Sequence, residues 1–229
     1  MKNILLIGGS QGIGHSLAQL LQENHHVFVA SRSWEITDLP KVTHIPYDVT
    51  KDTLDTSLLP TELHGFVYCP GSINLKPFKM LSLETFQEDM HLNFFSLVNT
   101  IKQIITYMVE GSSMVFFSTV AVQTGMPFHT SVAAAKGAIE GFTKSLAAEY
   151  APKIRVNAIA PSLVDTPLAA RLLNNEKKKE MMAQRHPLKR VGKAGDMAKI
   201  AQFLLSSDSS WMTGQILGVD GGLSTLNVH

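Results

Sequence analysis

The chain has 229 residues, 45% of them hydrophobic, and its 20 Lys and Arg against 19 Asp and Glu leave a formal net charge of +1. That length forms one α/β domain with a large core, and no composition shift marks a second. The near-neutral balance gives no bulk pull towards nucleic acid or an anionic membrane, and a lone cysteine, Cys69, excludes an intramolecular disulfide and fits a reducing compartment. Only four apolar residues, 4–7, follow Met1-Lys2-Asn3 before glycines begin. That is too short for a signal-peptide core, no run approaches membrane-spanning length, and the expectation is a cytoplasmic protein.

Residues 4–7 are uniformly apolar and predict a buried strand, and 13–23 carry helical spacing at Leu17, Leu20 and Leu21. Strands are expected at 27–30, 42–47 and 66–69, the last ended by Pro70-Gly71. Two helices are expected over 83–110, a strand at 114–117, a long helix at 131–150, and strands at 154–160 and 215–219. Residues 174–180 are charged and expected to be solvated. Strands that are apolar throughout and alternate with helices indicate a parallel sheet covered on both faces. The expected fold class is therefore α/β: a single Rossmann-type, doubly wound parallel sheet flanked by helices, with residues 1–229 as one domain. No metal site is expected.

The run Gly8-Gly9-Ser10-Gln11-Gly12-Ile13-Gly14 follows the first strand and opens the first helix. Glycines let the chain turn tightly and bring backbone amides against a pyrophosphate at the helix N-terminus. Taken alone the run also reads as a turn without a ligand; the strand–loop–helix context favours the nucleotide. The end of the second strand separates NAD from NADP, because an acid there binds the ribose hydroxyl and an arginine accommodates a 2′-phosphate. Here it reads Ala30-Ser31-Arg32-Ser33, with no acid. Arg32 offers a charged fork to phosphate, and Ser31 or Ser33 a hydrogen bond. An ordinary surface arginine near Glu35 is the other reading. The expected cofactor is NADP(H) in preference to NAD(H).

Further motifs follow in order: Asp48-Val49, Cys69-Pro70-Gly71, Leu92-Asn93, Ser118-Thr119-Val120, Ser131-Val132-Ala133-Ala134-Ala135-Lys136, Ile154 through Pro161, Asp165-Thr166-Pro167, His186-Pro187-Leu188, and Val219-Asp220-Gly221-Gly222. With the Gly-x-x-x-Gly-x-Gly spacing of the loop, this series resembles the short-chain dehydrogenase/reductase family over residues 3–223. The resemblance implies cofactor contacts from Gly8, Ser10, Gln11, Gly12, Ile13, Gly14, Ser31, Arg32, Asp48, Val49, Cys69, Pro70, Gly71, Asn93, Lys136, Pro161, Ser162, Val164 and Thr166. It implies catalytic roles for Asn93, which holds a relay water in the family, for Thr119, whose hydroxyl polarises a carbonyl, and for Lys136, which binds the ribose. Ser118 substitutes for Thr119 if the register slips by one.

The family signature is Tyr-x-x-x-Lys, and the tyrosine position holds Val132. In the family, that tyrosine protonates the carbonyl oxygen as hydride arrives, and a positioned acid is worth about 10²- to 10⁴-fold. Valine has no proton to give. His129, three residues upstream, is a candidate donor, and water or a substrate group is another. Ser131 is expected to cap the helix; Tyr68 and Tyr150 are poorly placed. Two readings stay open: a reductase with an atypical site acting on an unknown carbonyl or alcohol, and a cofactor-binding protein without turnover. The region 168–184 lies where such folds carry a substrate lid and has no diagnostic polar cluster. The resemblance also implies a homo-oligomer, a tetramer or a dimer, paired through helices 92–110 and 131–150 and a C-terminal segment with Ile216, Leu217 and Leu223. The expected partners are thus a small-molecule substrate and further copies of this chain, with no nucleic acid or membrane.

Overall fold

The structure is a computed structural model and describes residues 1–35 and 39–228. Seven parallel strands form the main sheet in the order β3-β2-β1-β4-β5-β6-β9. They are β1 (Lys2–Ile7), β2 (His25–Ser31), β3 (Val42–Pro46), β4 (Leu63–Tyr68), β5 (Met108–Phe117), β6 (Ile154–Pro161) and β9 (Ile216–Val219). A small parallel pair, β7 (Val164–Asp165) and β8 (Gly192–Lys193), lies apart. The helices are α1 (Gly12–Leu21), α2 (Leu83–Met90), α3 (Ser96–Ile104), α4 (Ala121–Thr124), α5 (Thr130–Tyr150), α6 (Glu176–Gln184) and α7 (Ala194–Leu205).

Side chains alternate across each strand, so one strand feeds two cores. Leu5 and Ile7 join Phe66, Phe116, Leu97, Ile101 and Ile139 on the face covered by α3 and α5. Ile4 and Leu6 join Leu17, Leu21, Met197, Ala201 and Leu204 on the face covered by α1 and α7. Strand order reverses at β1, which pairs with β2 on one side and β4 on the other. A crevice opens there beyond the carboxyl ends of the strands, where doubly wound sheets bind ligands.

Two expectations need correction. The helical stretch at 83–110 is α2, a π turn at His91–Phe95 and then α3, and it stops short of Glu110. Met108 to Glu110 belong to the ten-residue β5, with Met108 paired to Leu63 and buried. The polar Glu110-Gly111-Ser112-Ser113 hides this strand, whose pairing shifts between Leu63 and Gly65, while Gly111 stands at φ +79°. Second, the apolar spacing predicts no element at 194–205, where the structure has α7. Its apolar period is diluted by Ala194, Gly195, Ala198 and Ala201, yet Met197, Ala198, Ala201, Leu204 and Leu205 are buried. Asp196 starts the helix by accepting the Lys193 amide at 2.8 Å.

Candidate active site

The glycine loop is built by steric necessity. A Cβ on Gly14 would stand 2.3 Å from the Gly8 carbonyl oxygen, and Gly8 and Gly12 adopt φ of +79° and +57°, which suit glycine. Gln11, at the N-cap of α1, makes no side-chain cap, and no acid occupies the first turn. The first amides of α1 therefore face a cleft of about 800 Å³ lined by Gly8, Ser10, Gln11, Gly12, Ile13 and Gly14. Free amides at the positive end of a helix fit a pyrophosphate.

The same cleft receives Ser31 and Arg32 from the end of β2, Asp48 and Val49 after β3, and Cys69, Pro70 and Gly71 after β4. Ser31 Oγ donates to the Ser33 carbonyl at 2.9 Å, while Arg32 is exposed and has no carboxylate within ion-pair distance among the described residues. Asp48 Oδ1 accepts from the Thr50 hydroxyl at 2.7 Å and its amide at 3.0 Å, and these bonds hold the carboxyl below its ordinary range. Pro70 stacks under the loop, within 3.3 Å of where a Gly8 side chain would begin. Burial pushes the Cys69 thiol up to about 12, so it acts as a small core residue rather than a nucleophile.

A second cavity, about 240 Å³, shares Ile13, Cys69, Gly71, Thr166 and Leu168 with the cleft. Its walls also include Ser118, Thr119, His129, Val132, Lys136, Pro161, Ser162, Val164 and His186. Lys136 is 7% exposed, and its ammonium donates to the Phe117 carbonyl at 2.8 Å. Burial brings the ammonium down to about 8, and attraction from the Asp89 carboxylate offsets only part of that. A Cβ on Gly71 would lie 3.2 Å from both Lys136 Nζ and Asn93 Oδ1, so the loop after β4 must be glycine to pass these groups. Asn93 is fully buried in the π turn, a distortion frequent at functional sites. Its Nδ2 donates to the Asp89 carbonyl at 2.8 Å and to Ser72 Oγ at 3.0 Å, and its Oδ1 has no hydrogen-bond partner among the described residues.

Val132 sits one helical turn before Lys136, 6% exposed, and presents a hydrocarbon wall to the cavity. Thr119 Oγ1 accepts only a long bond from the Ala121 amide, 3.3 Å. The Ser118 hydroxyl is committed to Glu140 at 2.6 Å. His129 lines the cavity with Nδ1 on the Pro127 carbonyl at 2.8 Å, just after Phe128, whose φ is +71°. Thr166 closes over the glycine loop, its Cβ 3.4 Å from where a Gly12 side chain would begin. The expectation that Ser131 caps α5 is not met. The N-cap is His129, without a side-chain bond, and Ser131 Oγ donates instead to Asp89 Oδ2 at 2.5 Å.

A family model described as enoyl-(acyl carrier protein) reductase matches residues 8–224. The chain belongs to the short-chain dehydrogenase/reductase family. It is 31% identical to a 3-oxoacyl-(acyl-carrier-protein) reductase of Chlamydia trachomatis over 97% of both chains. Its structure resembles a short chain dehydrogenase family protein from Francisella tularensis, with a TM-score of 0.91 and 28% identity over 99% of this chain and 100% of that one. It also resembles ElxO with NADP bound, with a TM-score of 0.86 and 25% identity over 97% and 98% of the two chains. The chain is thus an oxidoreductase of short-chain dehydrogenase/reductase type. No described helix is long and apolar enough to cross a membrane.

Several site groups of this short-chain dehydrogenase/reductase escape a reading by motif. Asp89 is 1% exposed and accepts from Ser72 Oγ, Asn74 Nδ2 and Ser131 Oγ, tying the loop after β4 to α2 and α5. Three donors are what a buried carboxylate needs. His186, read only as part of a closing motif, is 3% exposed and lines the cavity. The region 168–184 contributes Leu168, Leu172 and Met182, and its charged stretch becomes α6. These groups meet across long sequence separations, which leaves no local signal.

Proposed function

We propose that this protein is an NADP(H)-dependent oxidoreductase acting on a carbonyl or alcohol through an atypical site in which Val132 stands where relatives have tyrosine. The observation that carries the reading is Lys136, buried in the wall of the second cavity with its ammonium against Gly71, a residue that lines both cavities. A nicotinamide dinucleotide supplies or accepts the hydride. The open amides of α1 would hold its pyrophosphate, Arg32 a 2′-phosphate, and Lys136 its ribose hydroxyls. Thr119 would orient the substrate oxygen by hydrogen bond. The substrate cavity has Ile73, Leu75, Leu168, Leu172, Met182 and Leu223 on its walls, which favours a substrate with an apolar skeleton. A 3-oxoacyl thioester, named by the Chlamydia relative, is one such candidate. Residues 1–229 act as one domain, in a cytoplasmic homo-oligomer, tetramer or dimer.

The rival reading is a dinucleotide-binding protein without turnover, and the hydrocarbon wall of Val132 favours it. Fluorescence titration with NADPH and NADH, followed by NADPH oxidation against ketones and 3-oxoacyl thioesters, decides between them. Binding with turnover supports the reductase. Binding with none across the panel supports the rival.

A further inference from the structure

Ser162 and His186 stand 24 positions apart in sequence, yet Ser162 Oγ lies 2.8 Å from His186 Nε2, and both side chains line the substrate cavity. The other ring nitrogen, Nδ1, lies 2.9 Å from the Met182 carbonyl oxygen. A carbonyl only accepts, so in the neutral ring Nδ1 carries the hydrogen and Nε2 has the lone pair. The Ser162 hydroxyl therefore donates to Nε2; its other acceptor, the Asp220 carbonyl, is 3.5 Å away. A hydroxyl backed by an oriented imidazole is a proton relay. The ring is 3% exposed, so this orientation is held by packing as well as by Met182.

We infer that Ser162 and His186 are the proton-transfer pair of this pocket, occupying functionally the place that Val132 leaves empty. The inference rests on the oxidoreductase reading above. In alcohol oxidation the substrate O–H bond breaks and its proton passes to Ser162 Oγ, while the Ser162 proton passes to His186 Nε2. The carbinol hydrogen leaves as hydride to the oxidised dinucleotide. The products are a carbonyl, a reduced dinucleotide and an imidazolium, with the serine regenerated. Carbonyl reduction runs the same steps backwards and starts from the imidazolium. Ser162 touches the substrate; His186 acts through it.

Charge around the ring suits this cycle. Asp220 stands behind it. Burial pushes the Asp220 carboxyl up, but the Ser224 hydroxyl and the Ser224 and Gly222 amides outweigh that and hold it below its ordinary range. A carboxylate there offsets the charge of an imidazolium. Arg185 and Lys136 also line the cavity, and Lys189 is turned to the Gln184 carbonyl. The oxidation rate should fall as pH drops and the ring is protonated.

The test uses the full chain with NADP+ and secondary alcohols, NADPH and ketones, and proton–nitrogen NMR of the histidine rings. Ser162→Ala and His186→Gln should each lower turnover by about 10²- to 10⁴-fold, and His186→Gln should leave NADPH affinity within about threefold. Ser162→Thr should retain most of the rate. The acid-side fall of oxidation should vanish in His186→Gln. NMR should show the Nδ1–H tautomer of His186, with a Nε2 resonance that moves in Ser162→Ala. Undiminished turnover in both variants, or the Nε2–H tautomer, overturns this inference and leaves the oxidoreductase reading standing. A wild type that binds NADPH but turns over nothing overturns both.

Discussion

Replacing Lys136 with methionine separates what the ammonium does for the cofactor from what it costs the fold. Burial brings the group from 10.5 down to about 8. A folded-state value below the unfolded one means that the unfolded chain binds more protons between about pH 8 and 10.5. Stability therefore rises with pH through that window. At about 1.4 kcal/mol per tenfold in proton affinity, keeping the ammonium charged costs about 3 kcal/mol near pH 7. Of this, about 2 kcal/mol is recovered by about pH 9.5. Lys136→Met removes the titration but orphans the Phe117 carbonyl, a cost of about 1–3 kcal/mol that is the same at both pH values. Urea unfolding of cofactor-free protein at the two pH values isolates the term, since every other titrating group is common to both proteins. Wild type should gain about 2 kcal/mol on the variant between them. NADPH affinity should weaken with rising pH in wild type and be low and pH-independent in the variant. Parallel stability profiles would refute the buried charge, and a pH-independent wild-type affinity would remove Lys136 from the cofactor grip.

Val132→Tyr adds a phenol to the cavity wall beside Lys136. Carbonyl reduction should rise, by at most the 10²- to 10⁴-fold of a positioned acid, and urea unfolding should register an overpacking cost of about 1–3 kcal/mol. An unchanged rate in a folded variant would show that position 132 does not face the reacting oxygen. His129→Ala should change turnover by less than about threefold, because the proton path runs through Ser162 and His186; a sharp loss would make it the donor. Arg32→Ala should weaken NADPH by about tenfold or more and leave NADH unchanged, and equal losses would count against a 2′-phosphate contact. Light scattering should give a mass above the 25.1 kDa of one chain, and a monomer at micromolar concentration rejects the assembly.

What was legible in the sequence was what is written locally. Gly8 to Gly14 carry their reason within seven residues, because Gly14 meets the carbonyl of Gly8. Lys136 was visible for the same cause, as part of a short helical motif. Strands show in the sequence where both faces are buried, as in Ile4 to Ile7, and β5 is hidden where Glu110 to Ser113 turn polar. The Ser131 hydroxyl read as a cap because local rules favour that role. Asp89 from another helix claims it instead, and no rule of spacing brings residues 89 and 131 together. The pairing of Ser162 with His186 depends on how the chain between them returns past α6 to the cavity, which is a property of the tertiary fold.

The π turn at His91–Phe95 has a consequence for the length of this helix. An α-helix turns about 100° for each residue, so one residue added or removed rotates everything beyond it by that angle. Leu97, Ile101 and Ile104 anchor α3 in the core, so a single deletion within 91–95 would swing α2 instead. Asp89 would leave Ser72, Asn74 and Ser131 behind, and the loop after β4 and the first turn of α5 would lose their common tie. The wide turn thus sets the phase between a polar cluster and an apolar stripe carried on one continuous rod. Substitution is tolerable along that rod wherever a side chain faces water, but a change in its residue count is not.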